Sequence, residues 1–148
     1  MRIALGSDER SSLTEFVEGD LRRRGFEVDV SGPAAWAEVA QAVGERVAAG
    51  ECEQGVLFCW TGTGVSIAAN KVPGVRAALC GDAEQARGAR AWNDANVLCL
   101  SLRSTSEEGA REILDAWFAA APDGSEDENI RRVNEMDERR RRAVSGRP

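Results

Sequence analysis

The chain has 148 residues, 43% of them hydrophobic and 30% charged, with a formal net charge of −6 and no histidine. That length favours a single domain able to bury about two-thirds of its unfolded-chain surface, and the composition excludes a disordered polymer. The acidic balance speaks against a nucleic-acid surface, and no apolar run approaches the ~20 residues that span a bilayer.

The first predicted element is a strand in "RIALGSD" (2–8), closing on Gly and Asp. No apolar leader precedes it, so a cytoplasmic protein is expected. "SSLTEFVEGDLRRRG" then sets Leu13, Phe16, Val17 and Leu21 on one helical face, with Gly25 as the stop. "FEVDVSG" alternates as a strand, and "WAEVAQAVGERVAAGE" spaces its Ala and Val residues as a helix. "QGVLFCW" is a continuous apolar run, the pattern of a parallel strand buried on both faces. A helix in "GVSIAANKV", a strand in "VRAALCG", a helix in "DAEQARGARAWNDA" and a strand in "NVLCLSL" follow. "SEEGAREILDAWFAA" is a helix with Ile113, Leu114, Trp117 and Phe118 facing inward.

Strict alternation of strand and helix predicts an α/β fold, a three-layer, open, doubly wound sheet of five parallel strands. Residues 119 to 148 form an extension: a polar stretch, then a charged helix, "ENIRRVNEMDERRRRAV", with too little apolar surface to pack alone. Such a helix is expected to lie across a partner subunit. The basic run Arg139 to Arg142 reads as the solvated end of that helix.

Cys52, Cys59, Cys80 and Cys99 include no CxxC pair and, without histidine, lack the usual zinc partner, so no metal is expected. They read as reduced, mostly buried thiols. Ligands of an open α/β sheet sit beyond the carboxyl ends of the strands. Those ends carry Asp8 and Glu9, Cys59 to Gly64, Cys80 to Asp82, and Leu100 to Arg103. "TGTG" before a helix lacks the Lys-Ser/Thr of a nucleotide-binding loop and lies on the third strand, so no nucleotide cofactor is implied. Cys59 beside it is a nucleophile, a base or a packed core residue.

"GVLFCWTGTGVSIAANKVPGVRAALC" resembles the signature of the ribose-5-phosphate isomerase B and galactose-6-phosphate isomerase (LacA/LacB) family, in which Cys-Gly-Thr-Gly-x-Gly-x-Ser-x-Ala-Ala-Asn-Lys leads into the next strand. The similarity extends to "IALGSD", "WNDANVL", "LR" at 102–103, "ILDAW" and the "RRV" before the tail. The resemblance implies a metal-independent aldose–ketose isomerase that moves a proton between C1 and C2 through an enediolate. It implies homodimers or dimers of dimers, with sites at the subunit interface and the last helix reaching the partner. The base would be Cys59, helped by the N-terminus of the helix after Gly64, and the amides of the glycine turn would hold the enediolate oxygen.

The departures from the family pattern gather at the site. Asp8-Glu9 stands for Asp-His, Trp92-Asn93-Asp94 for the His-Asn-Asp whose histidine opens the ring, and Trp60 for a glycine. Glu128 stands for an arginine, while Arg103 and Arg132 remain as anion-binding candidates. Carried over by position, the catalytic set is Cys59, Thr61, Asp8 and Glu9. The substrate-binding set is Trp36, Trp60, Gly62, Thr63, Gly64, Ser66, Asn70, Trp92 and Asn93. Three tryptophans at pocket positions imply a narrower, more apolar site, and two added carboxylates oppose a phosphate dianion. The expected function is an isomerase of a sugar or sugar phosphate not optimised for ribose 5-phosphate. The alternatives are a catalytically inactive member that binds a ligand or partner subunit, and a true ribose-5-phosphate isomerase with altered residues.

Overall fold

In the computed structural model, which describes residues 1–146, the chain alternates strand and helix as its pattern predicts. The elements are β1 (Arg2–Ser7), α1 (Ser12–Arg23), β2 (Glu27–Ser31), α2 (Trp36–Ala48), β3 (Gln54–Cys59), α3 (Thr63–Ala69), β4 (Ala77–Leu79), α4 (Ala83–Asn93), β5 (Val97–Ser101), α5 (Glu107–Ala119) and α6 (Asp127–Ser145). The five strands are parallel, in the order β2-β1-β3-β5-β4.

Each face of the sheet carries its own apolar layer. Leu13, Val17 and Leu21 of α1, Ala86 and Ala89 of α4, and Ile113, Leu114 and Trp117 of α5 cover one face. Val39, Val43 and Val47 of α2 with Val65 and Ala69 of α3 cover the other. β3 lies between both layers, and all six of its residues are buried. Trp117 has no exposed surface and satisfies its indole by donating Nε1–H to Gln54 Oε1 at 2.7 Å. That bond fixes α5 against the amino end of the central strand.

Helix starts follow side-chain chemistry. Ser11 caps α1 in a reciprocal box with Thr14, Asp82 Oδ1 accepts from the Gln85 N–H at 2.8 Å, and Ser106 Oγ accepts from the Gly109 N–H at 3.0 Å. Two boundaries differ from the sequence reading. β4 keeps only Ala77–Leu79 of the predicted strand over 75–81. Arg76, just before it, accepts from the Asn96 N–H at 2.9 Å and sends its guanidinium to the Asp94 carbonyl at 2.7 Å and carboxylate at 3.1 Å. α3 ends at Ala69, short of the Asn-Lys-Val that follows, because the Asn70 side chain turns to the Ala77 backbone.

The chain leaves β1 for β2 on one side and later enters β3 on the other. The carboxyl ends of β1 and β3 therefore diverge into a crevice, the switch point at which open α/β sheets take ligands. Register places Ser7 opposite Phe58 there, so Asp8 and Cys59 are next to one another at its mouth.

Candidate active site

The turn after β3 is built around glycine. Gly62 caps α3 at φ +75, and a Cβ there would lie 2.6 Å from Leu79 Cδ1 and 3.0 Å from the Leu100 carbonyl carbon. The turn is pinned to the segment after β5: Leu102 N–H donates to the Cys59 carbonyl at 3.0 Å, and Arg103 N–H to the Trp60 carbonyl at 2.9 Å. The α3 cap offers no side-chain bond to the first helical amides, so those donors stay available.

Asp8, Trp36, Cys59, Trp60, Thr61, Thr63 and Gly64 line one open cavity of about 300 Å³. Within it, Asp8 Oδ1 is buried and meets no hydrogen-bond partner. A buried carboxylate oxygen left unpaired is costly unless a ligand's donor completes it. Trp36 lies flat on the turn: a Cβ on Gly64 would be 3.0 Å from Trp36 Cε3. Trp36 and Trp60 remain 47% and 58% exposed, large flat walls of the cavity. Thr61 and Thr63 share a hydroxyl–hydroxyl bond at 2.7 Å.

The four cysteines are free and buried. Cys59 is the one that lines this cavity. Burial pushes the Cys80 thiol up to about 12 and raises Cys99 and Cys52 as well, so none of those three supplies a thiolate near neutral pH.

The structure divides the remaining sequence-derived residues. Trp92 and Asn93 line a second cavity of about 400 Å³, shared with Asn70 and with Asn129, Ile130, Val133 and Met136 of α6. The Trp92 indole is stacked back on Gly88, where a Cβ would lie 2.7 Å away, and Arg87 sits 4.9 Å from its ring centroid. Glu9 is exposed and faces a separate crevice with Arg10, Thr14 and Glu18. Arg103 is exposed on the β5–α5 turn, and Arg132 lies on α6 within 3.9 Å of Glu128. Ser66 is half-buried one turn into α3, behind the cavity wall.

Asn70, carried over as a substrate-binding residue, bonds this chain's own backbone. Its amide donates to the Ala77 carbonyl at 2.9 Å and accepts from the Ala77 N–H at 2.9 Å. It pairs the outer edge of β4 as a neighbouring strand would. Much of "WNDAN" is likewise structural. Asp94 ends α4 at φ 47 and binds Arg76, while Asn96 accepts from the Arg76 N–H at 2.8 Å and donates to the Gly74 carbonyl at 2.9 Å. Ser101, which no motif marks, is a buried hydroxyl directly beneath the turn. Among the described residues no group of three His, Cys, Asp or Glu is arranged to hold a metal, and no helix is long and apolar enough to cross a membrane.

Fold and site together define a doubly wound α/β protein with a thiol and an unpaired carboxylate at the switch point of its sheet. The chain belongs to the Ribose/Galactose Isomerase family, whose model matches residues 3–136. The ribose-5-phosphate isomerase B of Escherichia coli is 34% identical over 146 residues, covering 94% of this chain and 98% of that one. A D-erythrulose-4-phosphate isomerase of Pectobacterium atrosepticum is 35% identical over 131 residues, covering 84% and 86%. The solved ribose-5-phosphate isomerase B of Clostridium thermocellum superposes with a TM-score of 0.89 at 36% identity, over 94% of this chain and 99% of the other.

Proposed function

We propose that the protein is an aldose–ketose isomerase that carries a proton between C1 and C2 of a sugar or sugar phosphate, with Cys59 as the base. The observation that carries this reading is the shared cavity of Cys59 and the unpartnered Asp8 Oδ1 at the switch point. Asp8 accepts a substrate hydroxyl, which orients the chain of carbons over the Cys59 sulfur. Removal of the C2 proton of an aldose turns its bonding pair into the C1–C2 double bond and leaves the charge on O1. The free amides of the turn face that oxygen. The O2 proton passes to O1, the carbonyl re-forms at C2, and the thiol returns its proton to C1. The Trp36 and Trp60 rings exclude water from the enediolate. Trp92 offers no acid or base, so the substrate enters as its open-chain carbonyl.

Solvent-deuterium incorporation across a panel of free and phosphorylated aldoses and ketoses tests this. Exchange at C1 or C2 is expected with at least one of them. Binding without exchange throughout the panel would make the protein an inactive, ligand-binding member of the family. Ribose 5-phosphate is expected to turn over below ~1 per second, the low end for enzymes, because Glu128 stands where the family pattern has an arginine and a carboxylate there opposes a phosphate. The Glu128 carboxylate also draws on Arg132 at 3.9 Å, one of the two arginines carried over for the anion. Turnover of ribose 5-phosphate at hundreds per second would overturn that reading.

The working unit is a homodimer. α6 buries none of its residues within one chain and leaves Val133, Met136 and Val144 at 45%, 62% and 68% exposure. It meets its own body through polar contacts: Asp137 accepts from the Gly74 N–H at 2.7 Å and Arg141 donates to the Pro73 carbonyl at 3.0 Å. The cavity lined by Trp92, Asn93 and α6 is then where a partner's Cys59 cavity closes the site. Removing residues 126 to 148 is expected to shift the protein toward monomer in sedimentation at micromolar concentration. A truncated chain that sediments as the full-length dimer would refute the role of α6.

A further inference from the structure

Two consecutive carbonyls of the turn are held on the side away from the cavity. β3 lies between β1 and β5, and both carbonyls are drawn toward the β5 end: Cys59 by the Leu102 N–H at 3.0 Å, Trp60 by the Arg103 N–H at 2.9 Å. A trans peptide sets its N–H opposite its C=O. The amides of Trp60 and Thr61 are therefore turned toward β1, where Asp8 and the cavity lie. Neither amide donates a backbone hydrogen bond among the described residues.

One side chain joins this clamp. Ser101 is 8% exposed, donates its hydroxyl to the Trp60 carbonyl at 2.9 Å and accepts from the Ser104 N–H at 3.1 Å. It thus supplies the second donor to the Trp60 carbonyl and closes the 101–104 turn from which the Leu102 and Arg103 amides come. We infer that Ser101 is a positioning residue that fixes the Cys59–Thr61 peptide planes so that the Trp60 and Thr61 N–H groups face the developing oxyanion. This rests on the isomerase reading. Donors help such a reaction only when they are already aimed before charge develops, because reorienting them during the step consumes the gain. Without the hydroxyl, the Trp60 carbonyl keeps a single donor and the Ser104 amide loses its acceptor, so both planes gain freedom.

The full-length Ser101→Ala and Ser101→Thr variants test this with three readouts. The first is kcat and KM on whichever sugar of the deuterium panel is fastest. The second is calorimetric affinity for glycolohydroxamate, a small mimic of an enediolate. The third is amide hydrogen exchange at Trp60 and Thr61 by NMR. Ser101→Ala is expected to lower kcat about tenfold with KM within about twofold, the pattern of an interaction made only in the transition state. It should weaken glycolohydroxamate by a similar factor and speed exchange at both amides, and Ser101→Thr should restore all three. Unchanged kcat and hydroxamate affinity in Ser101→Ala, or a loss confined to KM, or failure of threonine to restore, would overturn the role of Ser101. A wild-type protein that neither exchanges substrate protons nor binds the hydroxamate would sink the isomerase reading itself, and this inference with it.

Discussion

Replacing Cys59 with alanine is expected to lower proton exchange on the true substrate by about a thousandfold, within the 10²–10⁴ range that a positioned base contributes. Ligand binding should survive, because the turn is folded by Gly62 and by the amides of Leu102 and Arg103, none of which involve the thiol. Cys59→Ser should be nearly as poor, since a hydroxyl's pKa lies far above the range in which a base works near neutral pH. The other thiols provide the control. Cys52, Cys80 and Cys99 are 1%, 2% and 0% exposed and line the core, so their alanine variants should lose stability and keep chemistry. Iodoacetamide should modify Cys59 first, and a bound sugar should protect it, because Cys59 lines the open cavity while burial raises the other three thiols. An alanine variant exchanging at the wild-type rate would remove Cys59 from the mechanism and leave Asp8, the other ionisable group in that cavity, as the base.

The fold was legible wherever burial is two-sided or strictly periodic. "QGVLFC" reads as a central strand because helices cover both its faces, and Leu13, Val17 and Leu21 mark α1 because only one stripe of it is buried. Trp117 was separable from the other three tryptophans by its helical phase and is fully buried, while Trp36, Trp60 and Trp92 are exposed. Strand order was not legible. Sequence gives succession and not adjacency, so nothing in it says that β5 inserts between β3 and β4. The length of β4 escaped for a related reason: an edge strand needs little apolar patterning, and a side chain, Asn70, occupies part of its outer edge.

The candidate site was half legible. Asp8, Cys59 and the glycine turn were gathered by the family resemblance, and the β1–β3 adjacency that brings them together is visible only in the sheet. Trp92, Asn93 and Arg132 are as polar or as aromatic as site residues should be, yet they fall on another cavity or another helix of the same chain. No pattern in a single sequence says which of two cavities of the chain such a residue lines. Asn70 illustrates the opposite confusion, since its side chain serves the backbone, and short polar side chains do so often. Ser101 carried only its place at a strand end, within Leu100 to Arg103. A serine at the end of a buried strand becomes informative only when the carbonyl above it is seen.

Gly62→Ala should cost about 2–3 kcal/mol, a loss of several degrees in Tm, and should also lower kcat at least as much as Ser101→Ala does. Two separate costs meet at this position. Its φ of +75 is one that residues with a Cβ adopt at about 1–2 kcal/mol, and the added methyl would press on the Leu100 carbonyl carbon at 3.0 Å and its oxygen at 3.1 Å. The Leu79 side chain, nearer still at 2.6 Å, is 40% exposed and can swing aside, whereas the Leu100 backbone is fixed in β5 beside β3. Relief therefore comes by moving the turn, and the turn carries the Trp60 and Thr61 amides. Gly25 separates the two costs. It has φ +86, with nothing within 4 Å of where a Cβ would stand, and it ends α1 far from the cavity in sequence and in fold. Gly25→Ala should show the conformational penalty alone, about 1 kcal/mol, with kcat unchanged. Equal thermal losses in the two variants, with equal activity, would mean that the β3–α3 turn tolerates displacement and that the close approach to Leu100 has no part in aiming its amides.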